Sequence, residues 1–305
     1  MQRPMRMEIR LFGTETRSRA CFVLIAAWVF LLVGFGIIPR VAQAAAIPFL
    51  DISNHWAMKP VLLLHSLGVV RGFEDGSFRP NKEVTRAEAA EILAAAFQSD
   101  SPLMAASVSP FRDVSPRHWA FPSIVFHWEK GYFLGDSAGY FHPERPMTRA
   151  EFFAVCLRVL GWQSIPVQIQ APSFDDWTET PDWSKPILVR ALQTGLMQGY
   201  SDQTIRADQP VRRSEAVAIV HRMLDEQGRL FPIRGDIVEK KELTIVIETV
   251  HEQGNERMEI VLDPAIHVFL EDRMADLSQI RVGDRAAVLL SPEGQVKALE
   301  LQRSS

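Results

Sequence analysis

Residues 84–93 read VTRAEAAEIL, and this stretch decides the fold. Thr85 and Glu88 stand at capping-box spacing ahead of the apolar run Ala89, Ala90, Ile92 and Leu93, which predicts the start of an amphipathic helix. Arg86 does not fit that reading by itself. A cation in the first turn faces the positive end of the helix dipole, at a cost of a few tenths to about 1 kcal/mol. Something else must favour it.

Working outward, the stretch recurs as MTRAEFFAVC and VRRSEAVAIV, and the whole surrounding segment recurs with it. Trp56, Trp119 and Trp183 lie 63 and 64 residues apart, and the same offsets relate Gly68, Gly131 and Gly195, then Gly72, Gly135 and Gly199, then Phe78, Phe141 and Ile205, then Arg86, Arg149 and Arg213. Each unit reads as helix, loop, helix. The first helix follows the Trp and stops at a Gly suited to a left-handed C-cap, a turn-rich loop follows, and the second helix begins at the capping box. One unit of about 50 residues buries too little apolar surface alone. The three are expected to pack as one pseudo-trimeric helical domain.

The combination F-x-D, H-W-A, G-x-x-x-G, F-x-P and T-R-A-E resembles the S-layer homology family, whose members usually carry three tandem copies. The resemblance covers residues 49 to about 225, and the first two repeats match it closely through Asp51, His55, Trp56, Phe78 and Pro80, then Asp113, His118, Trp119, Phe141 and Pro143. It implies non-covalent attachment to the cell wall through a wall-linked secondary polysaccharide that often carries pyruvate ketals. The residue chemistry suits such a ligand. A guanidinium matches a carboxylate bidentately, and free N–H groups at a helix start add charge of the same sign, so Arg86, Arg149 and Arg213 are candidate anion receptors, or else purely solvated or core-pairing residues. Trp56, Trp119 and Trp183 offer broad faces for a pyranose, or else are core residues at helix starts. Asp51, Asp113 and Asp176 either receive sugar hydroxyls or serve as turn residues before a helix. Repeat three departs from the pattern: Arg212 replaces the capping Thr and Ala207 replaces the loop Pro. Its groove is expected to bind weakly or differently.

The N-terminal 46 residues differ from the rest. Arg3, Arg6, Arg10, Arg17 and Arg19 precede the apolar run CFVLIAAWVFLLVGFGII, and VAQAAA offers a small-x-small cleavage site, which predicts a secretory signal cut after Ala44 or Ala46. An uncleaved membrane anchor is the alternative. The chain of 305 residues has net charge −4; six basic and two acidic residues lie before residue 45, leaving 27 against 35, or −8. That balance excludes nucleic acid as the expected partner. Of the two cysteines, Cys21 lies in the apolar run and Cys156 in a helical pattern, where it reads as a core thiol.

From Arg234 onward the pattern alternates through GDIVEK, ELTIVIETV, RMEIVL, IHVFLE, DRAAVLL and QVKALEL, predicting five or six short strands closed into a small barrel of OB or SH3-like type. This piece is either a spacer or a module for a surface or envelope partner. GDSAG at residues 135–139 fits the hydrolase pattern G-x-S-x-G but falls in a repeat loop, away from the strand–turn–helix context that chemistry needs. No metal or dinucleotide motif occurs, so no catalytic residue, metal or cofactor is expected. The resulting reading is a multidomain α+β chain: signal 1–44, repeats 45–100, 108–162 and 171–226, and a barrel-like β domain 232–303. It is expected to be a secreted protein that anchors to the cell wall and is not an enzyme. A cell-envelope hydrolase or a membrane-tethered scaffold is the alternative.

Overall fold

The computed structural model describes residues 46–97, 108–164, 172–251 and 254–303; the signal expected at residues 1–44 and the centres of both inter-repeat linkers lie outside them. The chain forms two compact units, one of Ile47–Pro232 and one that contains Ile233–Ser305.

The first unit holds six helices: α1 (Met58–Ser66), α2 (Arg86–Phe97), α3 (Phe121–Glu129), α4 (Arg149–Val159), α5 (Lys185–Gln193) and α6 (Arg213–Glu226). Each repeat contributes a pair. The second helix of each repeat packs on the first helix of the next, α2 on α3 and α4 on α5, and α6 returns to α1. Three repeats thereby close into a ring. At its axis the segments preceding α2, α4 and α6 exchange backbone hydrogen bonds in a cycle: Val84 N–H to Val211 C=O at 3.0 Å, Val211 N–H to Met147 C=O at 2.9 Å and Met147 N–H to Val84 C=O at 2.9 Å. All three side chains are fully buried.

The repeated glycines have separate causes. Gly68, Gly131 and Gly195 end the first helices at φ of 74°, 69° and 71°, a left-handed turn that glycine adopts without the Cβ penalty. At Gly72, Gly135 and Gly199 the constraint is contact instead: a Cβ would lie 2.2 Å from Phe49, 2.6 Å from Phe111 and 2.2 Å from Phe174. These phenylalanines open each repeat, so the glycine column lets an aromatic ring lie against the loop.

Helix α3 carries a histidine in the core. His127 is fully buried among Phe126, Tyr132 and Phe133, with Nε2 3.0 Å from the Ala90 carbonyl, across the junction of repeats one and two. Desolvation lowers its pKa to about 4, outweighing the hydrogen bond to Ala90 that raises it. The unfolded chain thus takes up a proton near pH 6.5 that the folded chain refuses until about pH 4. The stability this neutral imidazole contributes is complete above pH 6.5 and is lost as pH falls toward 4, about 3 kcal/mol in all. Urea midpoints measured between pH 7 and 4 should fall, and the fall should shrink in His127→Phe.

The second unit is a seven-stranded mixed sheet of β1 (Ile233–Lys241), β2 (Thr244–His251), β3 (Gly254–Val261), β4 (His267–Leu270), β5 (Arg273–Ala275), β6 (Arg285–Leu290) and β7 (Val296–Gln302). Neighbours run β3-β2-β1-β6-β7-β4-β5, with β4 and β7 parallel and all other pairs antiparallel. Ile237, Ile245, Ile247, Val288 and Leu299 lie at its core. The six expected strand segments all form strands, but the sheet is open where a closed barrel was expected. Closure would need β3 to pair with β5. Strand β5 has 3 residues against 8 in β3, and β3 exposes Glu256, Arg257 and Glu259, a charged edge of the kind that discourages further pairing.

Candidate functional site

The partner that Arg86 requires is backbone from the next repeat. Its Nε donates to the Phe141 carbonyl at 2.8 Å and its Nη2 to the Leu134 carbonyl at 2.8 Å, while the guanidinium lies 4.7 Å from the centre of the Phe141 ring. Arg213 repeats the arrangement across the ring closure, donating to Phe78 at 3.1 Å and Arg71 at 2.5 Å over the Phe78 ring. Arg149 keeps the second bond, Nη2 to the Gln198 carbonyl at 2.7 Å. Its Nε is buried and has no hydrogen-bond partner among the described residues. The three arginines are 8%, 6% and 8% exposed in chain order. Desolvation holds the guanidinium pKa of Arg86 and Arg213 below its usual value.

The helix starts beside them are not the free N–H groups expected for an anion site. Arg86 and Ala87 N–H donate to Arg145 and Pro143 carbonyls at 3.0 and 2.9 Å; Arg149 and Ala150 to Gln209 and Ala207, both at 2.9 Å; Arg213 and Ser214 to Lys82 and Pro80 at 2.8 and 2.9 Å. The third N–H meets the capping side chain in two repeats: Glu88 N–H reaches Thr85 Oγ1 and Glu151 N–H reaches Thr148 Oγ1, each at 3.2 Å, while Glu88 and Glu151 accept from Thr85 and Thr148 N–H at 3.0 Å. In repeat three Glu215 still accepts from Arg212 N–H at 2.9 Å, but arginine has no acceptor to return the bond. Docking of the next repeat's carbonyls at each helix start puts partial negative charge there, which removes the dipole objection to an arginine.

The aspartates act as clamps. Asp51 accepts from Phe78 and Arg79 N–H, both at 2.8 Å; Asp113 from Phe141 and His142 at 2.8 and 2.7 Å; Asp176 from Ile205 and Arg206 at 2.9 and 2.8 Å. Arg79, His142 and Arg206 have φ of 58°, 58° and 52°, left-handed backbone in non-glycine residues that the carboxylate holds in place. The tryptophans are the outward-facing members of the set. Trp56, Trp119 and Trp183 are 62%, 57% and 54% exposed, and Trp56 and Trp119 lie beside His55 and His118.

One cavity gathers candidates from all three repeats. It has a volume of about 490 Å³, and its lining includes Trp56 of repeat one, Arg149 of repeat two, and Tyr200, Arg206, Arg212, Glu215 and Arg222 of repeat three. The Tyr200 hydroxyl donates to Glu215, the Arg206 guanidinium lies 3.9 Å from the Tyr200 ring centre and that of Arg149 lies 4.9 Å from it. Burial above all pushes the Tyr200 phenol up to about 12, so it stays a donor at neutral pH. Tyr200, Arg206, Arg212 and Arg222 were not among the sequence-expected site residues. For Arg212 the trace was the departure of repeat three from the pattern, while Arg206 and Arg222 stand where repeat one has Arg79 and repeat two has Arg158. The remaining sequence candidates do not join this cavity.

Elsewhere, Cys156 is fully buried with its thiol pKa raised by desolvation. Residues 135–139 form a turn in which Asp136 accepts from Ala138 and Tyr140 N–H, with no strand or helix at Ser137. Among the described residues no group of three or more His, Cys, Asp or Glu could hold a metal, and no helix is long and apolar enough to cross a membrane.

The first unit is thus a ring of three helix-loop-helix repeats with exposed indoles and a cationic cavity. The S-layer homology domain model matches residues 48–90, 110–153 and 173–217, and the chain carries three such domains. Over 169 residues, 53% of this chain, it is 37% identical to cell surface glycoprotein 1 of Acetivibrio thermocellus, covering 7% of that protein. It is 31% identical over 176 residues to the cellulosome-anchoring protein of the same organism, 56% of this chain and 37% of that one. With the amylopullulanase of Thermoanaerobacterium thermosulfurigenes it shares 27% over 184 residues, 60% of this chain and 10% of the enzyme. The chain thus spans well under half the length of each of these relatives. The domains and the first two relatives support a cell-surface anchoring role.

Proposed function

We propose that this is an exported protein held non-covalently on the cell wall by a secondary polysaccharide linked to peptidoglycan, with pyruvyl carboxylates as its anionic groups. Binding, not catalysis, is its chemistry. The observation that carries the reading is the cavity in which an exposed indole, Trp56, stands with Arg149, Arg206 and Arg212. The indole face packs on pyranose C–H groups while the guanidinium forks take carboxylates. Trp119 and Trp183 extend the same use of exposed indoles around the ring. In this reading Arg86, Arg213 and the three aspartates shape the groove walls, and Arg149 both shapes and binds. The leader delivers the chain to the surface, and the β unit meets an envelope partner or spaces one.

Co-sedimentation of the purified protein with wall sacculi, before and after chemical removal of the secondary polymer, tests this. Retention on intact sacculi and release from stripped ones is expected. Equal retention on stripped sacculi would overturn the mechanism.

A further inference from the structure

The cavity at repeat three is cationic, and one of its cations, Arg212, stands where this repeat departs from the other two, whereas Arg206 and Arg222 match Arg79 of repeat one and Arg158 of repeat two. Four arginines, Arg149, Arg206, Arg212 and Arg222, line it against one acid, Glu215. Arg212 takes the position of Thr85 and Thr148. Glu215 is itself committed, one oxygen to the Tyr200 hydroxyl and the other to Arg212 N–H, with Arg149 Nη1 at 4.0 Å. Two of the other arginines engage neutral acceptors: Arg222 the Leu196 carbonyl at 2.9 Å and Arg212 the Asn81 side chain at a long 3.4 Å. Arg206 alone has a close carboxylate, Asp202 at 2.5 Å. Arg149, 6% exposed, leaves its buried Nε without a partner in the position where Arg86 and Arg213 have one. All this stands in a chain of net charge −4.

We propose that this groove selects a glycan segment bearing two or more negative charges, and that Arg212 is the residue that sets the selectivity. The proposal deepens the wall-binding reading above and rests on it for the biological ligand. A single carboxylate is matched by one guanidinium fork; the several cations around this cavity favour anions on successive sugars. The replacement of a capping Thr by Arg gives up a helix cap, so the charge is present at the expense of local stability. Carboxylate and phosphate substituents share the required chemistry.

The test uses the full chain and its Arg212→Thr variant, which restores the cap present in the other repeats and should fold at least as stably. Calorimetric titration with galacturonic acid, trigalacturonate, maltotriose and glucose 1,6-bisphosphate supplies one, several or no carboxylates and a phosphate arm. Trigalacturonate or the bisphosphate should bind about tenfold tighter than galacturonic acid, weaken as salt rises, and lose about that factor in Arg212→Thr. The arm that binds more tightly identifies the anion. Equal binding of trigalacturonate and maltotriose with no gain from the bisphosphate, or an unchanged profile in the variant, would overturn the proposal. Retention on sacculi, measured on the same samples, separates the two readings: a chain that is not retained but still prefers multiply charged probes through Arg212 refutes the wall ligand alone.

Discussion

Arg213→Ala lowers the stability of the repeat unit by about 3 kcal/mol, since two carbonyls lose charged donors each worth about 1.5–3 kcal/mol, offset in part by relief of the buried cation. The bonds at stake run from Arg213 to Phe78 and Arg71, 135 and 142 residues away, so they join the last repeat to the first. No covalent neighbour holds that junction. Arg213→Lys should fail to restore stability, because one ammonium cannot reproduce the planar fork that serves two carbonyls over an aromatic face. Urea denaturation followed by tryptophan fluorescence measures both, with a lower midpoint and an unchanged slope expected. A midpoint equal to that of the parent protein would mean that the ring closes without its clasp.

Val84→Asp has the second large effect: loss of the cooperative fold at neutral pH. Val84, Met147 and Val211 are fully buried where the three pre-helix segments exchange hydrogen bonds. A carboxylate introduced at Val84 enters that apolar axis with no cation prepared for it, and an unpaired buried charge costs several kcal/mol. Val84→Ile, which keeps the axis apolar, should stay within about 1.5 kcal/mol of the parent. Near-ultraviolet circular dichroism distinguishes them, with the tertiary signal lost in the first variant and kept in the second.

Much of this architecture was legible because it rests on local chemistry. The capping pairs at Thr85 and Thr148 start their helices where the spacing places them, and Gly68, Gly131 and Gly195 end the preceding helices in left-handed turns. All six expected strand segments form, because alternation is a property of each strand alone. The partners of Arg86 were not legible. They are carbonyls 48 and 55 residues away, and every residue has a carbonyl, so no side-chain pattern marks them. For the same reason the helix starts read as free when they are filled by the following repeat. The aspartates gave no sign that both oxygens clamp a left-handed turn. Strand β5, at 3 residues, is too short to show a period, and whether a sheet closes depends on which edges can pair rather than on alternation. Repeat three reads as a unit whose groove binds weakly or differently. Its substitutions gain meaning only beside Trp56 and Arg149, which belong to other repeats.

The central functional claim is that the exposed indole of Trp56 contacts the wall polymer. Acrylamide quenching of tryptophan fluorescence, with and without solubilised secondary polymer, tests it directly, comparing the parent chain with Trp56→Phe. The account predicts that polymer protects the parent from quenching and that Trp56→Phe loses a measurable part of that protection. Identical quenching with and without polymer, under conditions where the protein is retained on intact sacculi, would contradict it.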